Sequence, residues 1–196
     1  MTTSPFIAIL AAGRASRFGK PKLDAPLAGR PVGHWVLEAV SSAGLPPGVV
    51  VVGPTPPDFL QAWPDWERLE NPDPGRGLGS SLAIAAQEAA TQEADAMLVL
   101  LADMPLLDPV FLNELASAET PAATIQDDGR PGAPALLPRS SYEALQALDG
   151  DRGAGKLLAQ APGLTLLRPP TGMLIDIDRP EDLARAEAEL ASRAKR

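Results

Sequence analysis

Three short apolar runs constrain the fold of this chain more than any other feature of its sequence. Phe6 to Leu10, Val49 to Val52 and Ala96 to Leu101 are apolar at successive positions, a pattern typical of parallel strands that are buried on both faces. Helical patterns separate them, beginning with Pro31 to Ala43, which Gly44 ends. This regular alternation predicts right-handed crossovers and an α/β fold, a three-layer sandwich around a Rossmann-like, mostly parallel sheet.

The C-terminal half continues the alternation with shorter segments. Strands are expected at 122–126 and 133–137, and a last strand is expected at Met173 to Ile177. A final helix follows, and Asp178 is predicted to be its N-cap. No repeat, linker or change of composition divides residues 1–196, so we expect a single domain.

Composition excludes several kinds of active site. The 196 residues include no cysteine and one histidine, His34, which removes thiolate chemistry and zinc–sulfur sites and leaves little support for a Ser-His-Asp triad. The net charge of −8 argues against broad nucleic-acid binding, which depends on a basic face. No run approaches the ~18 apolar residues of a membrane span, and no signal peptide is evident, so we expect a cytoplasmic protein.

Against this acidic background, the first strand runs into a cationic loop. Ala11, Ala12 and Gly13 have almost no side chain, which allows a ligand to approach the backbone closely. The basic residues that follow are Arg14, Arg17, Lys20 and Lys22. N–H groups and cations together suit a polyphosphate, while an ordinary turn with solvated basic residues is the alternative interpretation. A P-loop is excluded because five residues separate Gly13 from Gly19.

A second loop, residues 70–81, is rich in glycine, proline and serine. It leads into a helix predicted from Ser80 to Thr91, with Ser80 or Ser81 as the N-cap. The start of such a helix has free N–H groups that can bind a ligand. The alternative is a flexible loop followed by a capped helix.

Two carboxylates are candidate metal ligands. Asp103 follows the strand Ala96 to Leu101, and in open α/β sheets ligands bind beyond the carboxyl ends of the strands. A loop cap is the alternative role for Asp103, whereas Asp176 has no evident capping role. Cations for phosphates and two hard oxygen ligands for magnesium are what phosphoryl or nucleotidyl transfer requires.

Six motifs in a fixed order identify a family that this chain resembles. They are LAAGRASRFGKPK, NPDPGRGLGSSL, LADMP, DGRPGAP, LDGDRGAGKLL and DIDRPEDL. In this order and spacing they resemble the nucleotidyltransferases related to molybdenum cofactor cytidylyltransferase, the MobA-like NTP transferases, over nearly the whole chain. The resemblance implies Mg²⁺-dependent transfer of a nucleotide to a phosphorylated acceptor, molybdopterin in that enzyme, with release of pyrophosphate.

The resemblance also implies roles for individual residues. Those that would line or recognise the base and ribose are Leu10, Ala11, Ala12, Gly13, Asn71, Gly79, Ser80 and Ser81. Arg17 and Lys22 would hold the triphosphate and take part in catalysis together with Asp103. Asp103 and Asp176 would bind Mg²⁺.

The alanine at position 12 favours CTP as the nucleotide. LAAG resembles the cytidylyl-transferring branch, whereas the guanylyl-transferring relatives have LAGG. A Cβ at Ala12 narrows the space beside the base, which disfavours a purine. By the same resemblance, the protein that receives the product would be a molybdenum hydroxylase.

Three positions depart from the family pattern. Ala133 replaces the histidine of a common Gly-His-Pro motif, and Gly155 replaces the arginine of a common Gly-Ala-Arg motif, with Lys156 adjacent. Asp24 stands where an apolar residue is usual. The first two lie in the half that should bind the acceptor. They leave open a sugar phosphate or another phosphorylated metabolite as the acceptor, or a non-catalytic factor that binds a nucleotide and delivers a cofactor.

Overall fold

A computed structural model describes residues 4–13, 18–19, 21–148, 150 and 153–193. The strands, in chain order, are β1 (Phe6–Leu10), β2 (Pro26–Leu27), β3 (Arg30–Pro31), β4 (Val49–Val52), β5 (Glu67–Glu70), β6 (Ala96–Leu101), β7 (Ala122–Ile125), β8 (Pro131–Pro138) and β9 (Thr165–Leu167). The α-helices are α1 (Val32–Ser42), α2 (Leu78–Thr91), α3 (Pro109–Ala116), α4 (Tyr142–Gln146), α5 (Gly155–Gln160) and α6 (Pro180–Arg193). Short 3₁₀ turns lie at Asp58–Ala62, Pro74–Arg76 and Arg139–Ser141.

Within the described residues, seven strands form one mostly parallel sheet in the order β5-β4-β1-β6-β8-β7-β9. Only β8 runs against its neighbours in this sheet, since it pairs antiparallel with both β6 and β7. The strands β2 and β3 form a separate two-stranded ribbon. The predicted α/β architecture with a Rossmann-like sheet is confirmed.

The three predicted apolar runs are confirmed as strands, and they are buried on both faces. In β1, Ile7 and Ile9 belong to one core, whereas Ala8 and Leu10 belong to the other. Successive side chains of a strand point to opposite faces, so a strand covered on both sides must be apolar throughout. The sheet is therefore the middle layer of a three-layer sandwich.

Helices cover the two faces as separate groups. On one face, α1, α3 and α6 contribute buried residues such as Val36, Leu112 and Ala186. On the other face, α2, α4 and α5 contribute residues such as Ala85 and Leu145. Within the described part of the chain, no helix is long and apolar enough to cross a membrane.

The strand predicted at Met173 to Ile177 is wrong. This segment is irregular and pairs with no strand, although Met173, Ile175 and Ile177 are buried. Their alternation comes from packing against the core shared with α6 rather than from a hydrogen-bonded ladder. The last strand is β9, which is too short to give a clear alternating pattern.

The edge strand β5 was not predicted, because its sequence ERLE is polar and its residues are largely exposed. The helix predicted from Ser80 begins two residues earlier, at Leu78. Both differences lie in regions where apolar periodicity, the main sequence signal for secondary structure, is weak.

Candidate active site

The carboxyl edge of the parallel strands carries a cleft of about 400 Å³. Residues 10–13, at the end of β1, and 101–103, at the end of β6, form one wall of it. The opposite wall comes from the loop before α2 and its first turn, and consists of Pro74, Gly75, Gly77, Leu78 and Ser81. Ligands of open α/β sheets bind at this edge, so the cleft is the candidate active site.

Small residues form the wall where β1 ends. Ala11 N–H donates to the Val51 carbonyl at 2.8 Å, which keeps this part of the chain against β4. Ala11 and Ala12 are buried, whereas Gly13 is exposed and no described atom lies within 4 Å of where its Cβ would be. The structure thus brings together the predicted residues Leu10 to Gly13 along one wall, of which residues 11–13 have little or no side chain.

Lys22 reaches the cleft from a segment that α1 holds in place. Gly33 N–H donates to the Leu23 carbonyl at 2.9 Å, and Val32 N–H donates to the Ala25 carbonyl at 3.0 Å. The first N–H groups of a helix have no partner within the helix, and here the Lys22 segment supplies their acceptors. Since Leu23 and Ala25 are also buried, the backbone beside Lys22 is fixed from two sides.

The Lys22 ammonium group joins two carboxylates that are distant in sequence. Its Nζ donates to Asp103 Oδ2 at 2.7 Å and to Asp178 Oδ1 at 3.1 Å. Burial lowers the pKa of Lys22, but the charges and hydrogen bonds of Asp103 and Asp178 outweigh burial and raise that pKa above the ordinary 10.5. Lys22 is therefore a fixed positive charge at neutral pH.

Asp176 belongs to the same electrostatic cluster. Ile177 N–H donates to the Asp103 carbonyl at 2.9 Å, which holds the segment before α6 against the end of β6. Burial raises the pKa of Asp176, and the negative charges of Asp103 and Asp178 raise it further, against the opposing effects of a backbone hydrogen bond and of Lys22. The carboxylates of Asp103 and Asp176 are therefore close enough to interact electrostatically.

Sequence reasoning treated Asp178 only as a helix cap and missed its place in this cluster. At the start of α6, the Asp182 carboxylate accepts the N–H groups of Asp178 and Arg179, while the Asp178 carboxylate is hydrogen-bonded to Lys22. The available signal was the spacing, since Asp178 is two residues after Asp176 in the same motif.

Asn71 organises the wall opposite β1. Its Nδ2 donates to Ser80 Oγ and to Ser81 Oγ, both at 2.9 Å, and its Oδ1 accepts the Asp73 N–H at 3.1 Å. Asn71, Ser80 and Ser81 are all buried. Because three hydrogen bonds engage the amide of Asn71 within the protein, this side chain fixes the loop to the first turn of α2.

The two serines differ in what they can offer a ligand. Ser80 Oγ donates to the Gly77 carbonyl at 2.8 Å and accepts from Asn71, so its hydroxyl is fully used. Ser81 Oγ also accepts from Asn71, but its hydrogen has no acceptor among the described residues. Ser81 lines the cleft, whereas Ser80 does not, so Ser81 is the serine that can donate to a ligand.

Neither serine is the N-cap that the sequence predicted. The N-cap of α2 is Gly77, and no side chain makes a cap hydrogen bond there. The helix begins before the serines, which puts them inside its first turn. The Gly79 N–H, another predicted ligand contact, donates to the Gly150 carbonyl at 3.0 Å, so it is used within the protein.

The remaining predicted cations lie outside the described residues. Arg14, Arg17 and Lys20 belong to this group, and the role assigned to Arg17 stays a prediction. Among the described residues, Lys22 is the cation that lines the cleft.

Asp24, one of the departures from the family pattern, has a structural role. Its carboxylate accepts the N–H groups of Asp58 and Phe59 at 3.1 and 2.8 Å, which caps the 3₁₀ turn after β4. His34 is similarly structural, because its Nδ1 accepts the indole N–H of Trp63 at 3.1 Å. The departure at Asp24 therefore has a role in a loop contact, and Asp24 also lines, together with Lys22, a second cavity next to residues 11–13.

A family model of the MobA-like NTP transferase domain matches residues 7–164. The chain belongs to this family. The activity of the MobA-like transferases is nucleotidyl transfer, and the match spans β1, the loop that carries Asn71, and Asp103. The resemblance inferred from the six motifs is confirmed at the level of family.

Relatives of this MobA-like transferase carry different names. It is 30% identical to purine catabolism protein PucB of Bacillus subtilis (strain 168), over 91% of this chain and 95% of PucB. It is 34% identical to phosphoenolpyruvate guanylyltransferase of Rubrobacter xylanophilus, over 78% of this chain and 76% of that protein. The manganese complex of Rv0371C from Mycobacterium tuberculosis H37Rv has the same fold, with a TM-score of 0.77 and 22% identity over 95% of this chain and 99% of that chain.

The carboxylates of this MobA-like transferase fit a divalent metal, which the family uses. Among the described residues, no three His, Asp or Glu side chains are grouped as a metal site made of protein alone. Magnesium in phosphoryl-transfer sites is usually held by one or two carboxylates together with substrate phosphates. Asp103 and Asp176 are candidates for that donor set, because the charge of Asp103 is close enough to raise the pKa of Asp176.

The edge of the sheet has a second part, formed by residues 126–134 and 153–156, which we call the β8 side. We call residues 10–13, Lys22 and 71–81 the β1 side. At the β8 side, a Cβ on Gly155 would lie 3.3 Å from the Pro131 carbonyl. The motif departures at Ala133 and Gly155 both fall here.

Proposed function

We propose that this chain transfers CMP from CTP to a terminal phosphate of molybdopterin in a Mg²⁺-dependent reaction that releases pyrophosphate. The observation that carries this proposal is the contact of Lys22 with Asp103 and Asp178 beside the small-residue wall that follows β1. At such a wall, a lysine can bind a triphosphate and the adjacent carboxylates can bind its metal ion. Asp103 and Asp176 are the proposed Mg²⁺ ligands.

Lys22 and Ser81 are proposed to position CTP. Lys22 is buried, and the backbone that follows it is held to α1 by hydrogen bonds at Leu23 and Ala25. Its charge therefore needs little reorganisation to act on a phosphate. Ser81 has a hydroxyl hydrogen to donate to the base or the ribose, and Asn71 orients that hydroxyl from behind. Asn71 and Ser80 then act by positioning rather than by contact.

Ala12 supports a pyrimidine nucleotide. It is buried in the wall of the cleft, and its Cβ occupies space that a glycine would leave open beside a larger base. The family permits other choices, since one relative is named a guanylyltransferase.

In the proposed reaction, an oxygen of the acceptor phosphate forms a bond to the α-phosphorus of CTP. The bond from that phosphorus to the bridging oxygen of the β-phosphate breaks, and pyrophosphate leaves. Lys22 holds the phosphates in line, and the carboxylates of Asp103 and Asp176 hold the metal side of the site. Mg²⁺, when bound, supplies neutralisation of the negative charge that develops on the phosphates.

The β8 side is proposed to bind the acceptor. A molybdenum hydroxylase is the proposed recipient of a cytidylylated molybdopterin. The alanine and glycine at positions 133 and 155 make a sugar phosphate the second candidate acceptor, because both positions lack the polar side chains of the family pattern.

Pyrophosphate release tests the proposal directly. The protein is incubated with Mg²⁺, each of the four NTPs, and either molybdopterin or a panel of sugar phosphates. We expect the fastest release from CTP with molybdopterin and none without an acceptor. Faster release with a sugar phosphate would refute the acceptor, and NTP binding without turnover for every acceptor would favour a delivery factor.

The variant Ala12→Gly tests the choice of base separately. Removal of the Cβ should raise the kcat/KM for GTP relative to that for CTP by about tenfold, since the space beside the base grows. An unchanged ratio would show that Ala12 does not select the base. Arg17→Ala should raise the KM for the nucleotide, and kinetics equal to wild type would remove Arg17 from the site.

A further inference from the structure

The hairpin of β7 and β8 opens at the same edge of the sheet as the cleft. Because β8 is antiparallel to both β6 and β7, the end of β7 and the start of β8 lie beside the end of β6. Neighbouring strands are about 4.8 Å apart, so the end of β7 is about 10 Å from that of β6. This is within reach of an acceptor molecule bound against Asp103.

The loop 153–155 makes this hairpin continuous with the cleft. A Cβ on Gly153 would lie 3.2 Å from Leu78 Cδ2, and Leu78 lines the cleft. A Cβ on Gly155 would lie 3.3 Å from the Pro131 carbonyl at the start of β8. One short loop therefore contacts both the cleft wall and the hairpin.

Gln126 follows β7 and has a side chain held in one orientation. Its Nε2 donates to the Ala133 carbonyl at 3.1 Å and to the Thr124 carbonyl at 3.3 Å. Both partners are acceptors, so the atom facing them is the nitrogen, and both of its hydrogens are used. The oxygen Oε1 accepts no hydrogen bond from any of the described residues, and Gln126 is partly exposed.

The surroundings of Gln126 keep this orientation. A Cβ on Gly132 would lie 2.7 Å from Cγ, Cδ and Nε2 of Gln126, so the missing side chain at Gly132 is what makes room for the glutamine. Thr124 is fully buried, and its hydroxyl donates to the Pro134 carbonyl at 2.8 Å. The amide of Gln126 is thus preorganised by the hairpin that carries it.

We propose that Gln126 is a specificity-determining residue for the acceptor, whose N–H or O–H group donates a hydrogen bond to Gln126 Oε1. An amide oxygen can only accept, so it would contact the organic part of the acceptor and not its phosphate. The Ala133 carbonyl helps to hold the amide in this orientation. The inference depends on the proposed function only in assuming that an acceptor binds at the β8 side.

Gln126→Met tests this proposal, because methionine keeps the length of the side chain and removes the amide. The wild type is first assayed by pyrophosphate release with CTP, Mg²⁺ and either molybdopterin or sugar phosphates. The variant is then assayed with the acceptor that the wild type uses. We expect the KM for that acceptor to rise about threefold to tenfold, the effect of one hydrogen bond, with the KM for CTP unchanged.

Thr124→Val is the matched control for a purely structural effect. It removes a buried hydrogen bond of the same hairpin and leaves the Gln126 oxygen in place. We expect a lower thermal midpoint, with an acceptor KM that changes less than in Gln126→Met. An unchanged acceptor KM in Gln126→Met, or equal rises for CTP and the acceptor, would overturn the assignment of Gln126.

These outcomes separate the two proposals. If a sugar phosphate replaces molybdopterin as the acceptor but its KM rises selectively in Gln126→Met, the proposed acceptor fails and the role of Gln126 stands. If molybdopterin is used equally well by the wild type and Gln126→Met, the proposed acceptor stands and the role of Gln126 fails.

Discussion

The β1 side and the β8 side of the sheet edge are built from different kinds of residue. At the β1 side, Lys22, Asn71 and the two serines after it are buried, and their polar atoms are connected to protein partners. At the β8 side, Gly132, Ala133 and the loop 153–155 present main chain and small side chains instead. One side is a connected polar network, and the other is a surface with few side-chain contacts.

The two sides should therefore tolerate substitution differently. Buried polar networks are costly to change, because each unpaired member loses its hydrogen bonds without regaining water. At the β8 side the constraint is steric instead, because a Cβ on Gly132 would lie 2.7 Å from Gln126. The relatives of this chain carry different names, purine catabolism protein PucB and phosphoenolpyruvate guanylyltransferase among them.

The largest effect is expected from Asp103, which lies between the two sides. Asp103→Asn removes the negative charge proposed to bind the metal and leaves the size of the side chain unchanged. We expect kcat to fall by on the order of 10³-fold, since charge stabilisation at the reacting phosphate dominates such reactions. Initial rates of pyrophosphate release at saturating CTP measure this effect.

Asp127→Asn is the matched control for Asp103→Asn. Asp127 is an exposed carboxylate in the β7–β8 turn, so the same change of charge there should leave kcat within about twofold. Comparable losses in both variants would mean that net charge, rather than the position of Asp103, controls the rate.

A smaller effect is expected from Lys22→Met, which removes the fixed charge of the β1 side. We expect the KM for CTP to rise by about 10- to 100-fold, because a buried cation held in position contributes more to phosphate binding than a solvated one. The acceptor KM should change little if the two sides bind separately. Equal rises in both values would break the distinction between the β1 side and the β8 side.

Asn71→Ala tests the network behind the β1 side. Its loss removes the donor to two buried serine oxygens and the side-chain acceptor of the Asp73 N–H, which should cost about 1–3 kcal/mol in the free energy of unfolding. We expect a KM for CTP raised up to about tenfold, because Ser81 loses its orientation. Denaturant melts and steady-state kinetics measure the two effects.

Ser80→Ala and Ser81→Ala separate stability from binding within this network. Ser80→Ala should lower stability with little effect on the KM for CTP, since Ser80 is fully bonded within the protein. Ser81→Ala should raise that KM. The opposite pattern would reverse the roles assigned to the two serines.

The sequence predicted those parts of the molecule in which local pattern and function coincide. The strands β1, β4 and β6 can be recognised from their apolar runs, because strands buried on both faces must be apolar throughout. Asp103 and Lys22 could be predicted from motifs, although their 2.7 Å contact could not, since 81 positions separate them in the chain.

The sequence failed where tertiary packing replaced a local rule. Met173 to Ile177 alternates like a strand, but it is buried against the core without pairing. Ser80 and Ser81 resemble N-caps, but Asn71 holds them inside the first turn of α2. No sequence pattern indicates Gln126 as a site residue, because its proposed role depends on the space left by Gly132 across the hairpin.

The smallest effect on activity is expected from Tyr142, in the core beneath β8. Its hydroxyl is buried with no hydrogen-bond partner among the described residues, and burial raises its pKa to about 12. The folded state therefore keeps the phenol proton more tightly than the unfolded state. Below about pH 10 the group stays protonated in both states and does not change the free energy of unfolding. As the pH rises towards 12, that free energy falls by about 2 kcal/mol.

Tyr142→Phe should remove that loss. Its melting temperature should equal or exceed the wild-type value at neutral pH, because an unpaired hydroxyl is removed, and kcat/KM should not change. Thermal melts at pH 7 and from pH 10 to 12 make the comparison. A neutral-pH destabilisation of more than about 1 kcal/mol would show that the hydroxyl has a partner.

We expect the β1 side to bind CTP before any acceptor binds, since its polar side chains are already held in place by protein partners. Isothermal titration of CTP with Mg²⁺ into the protein, in the absence of any acceptor, tests it most directly. We expect saturable binding of CTP that is weakened in Lys22→Met and unaffected in Gln126→Met. Absence of CTP binding until an acceptor is added, or loss of it in Gln126→Met, would show that the β1 side does not bind the nucleotide independently of the β8 side.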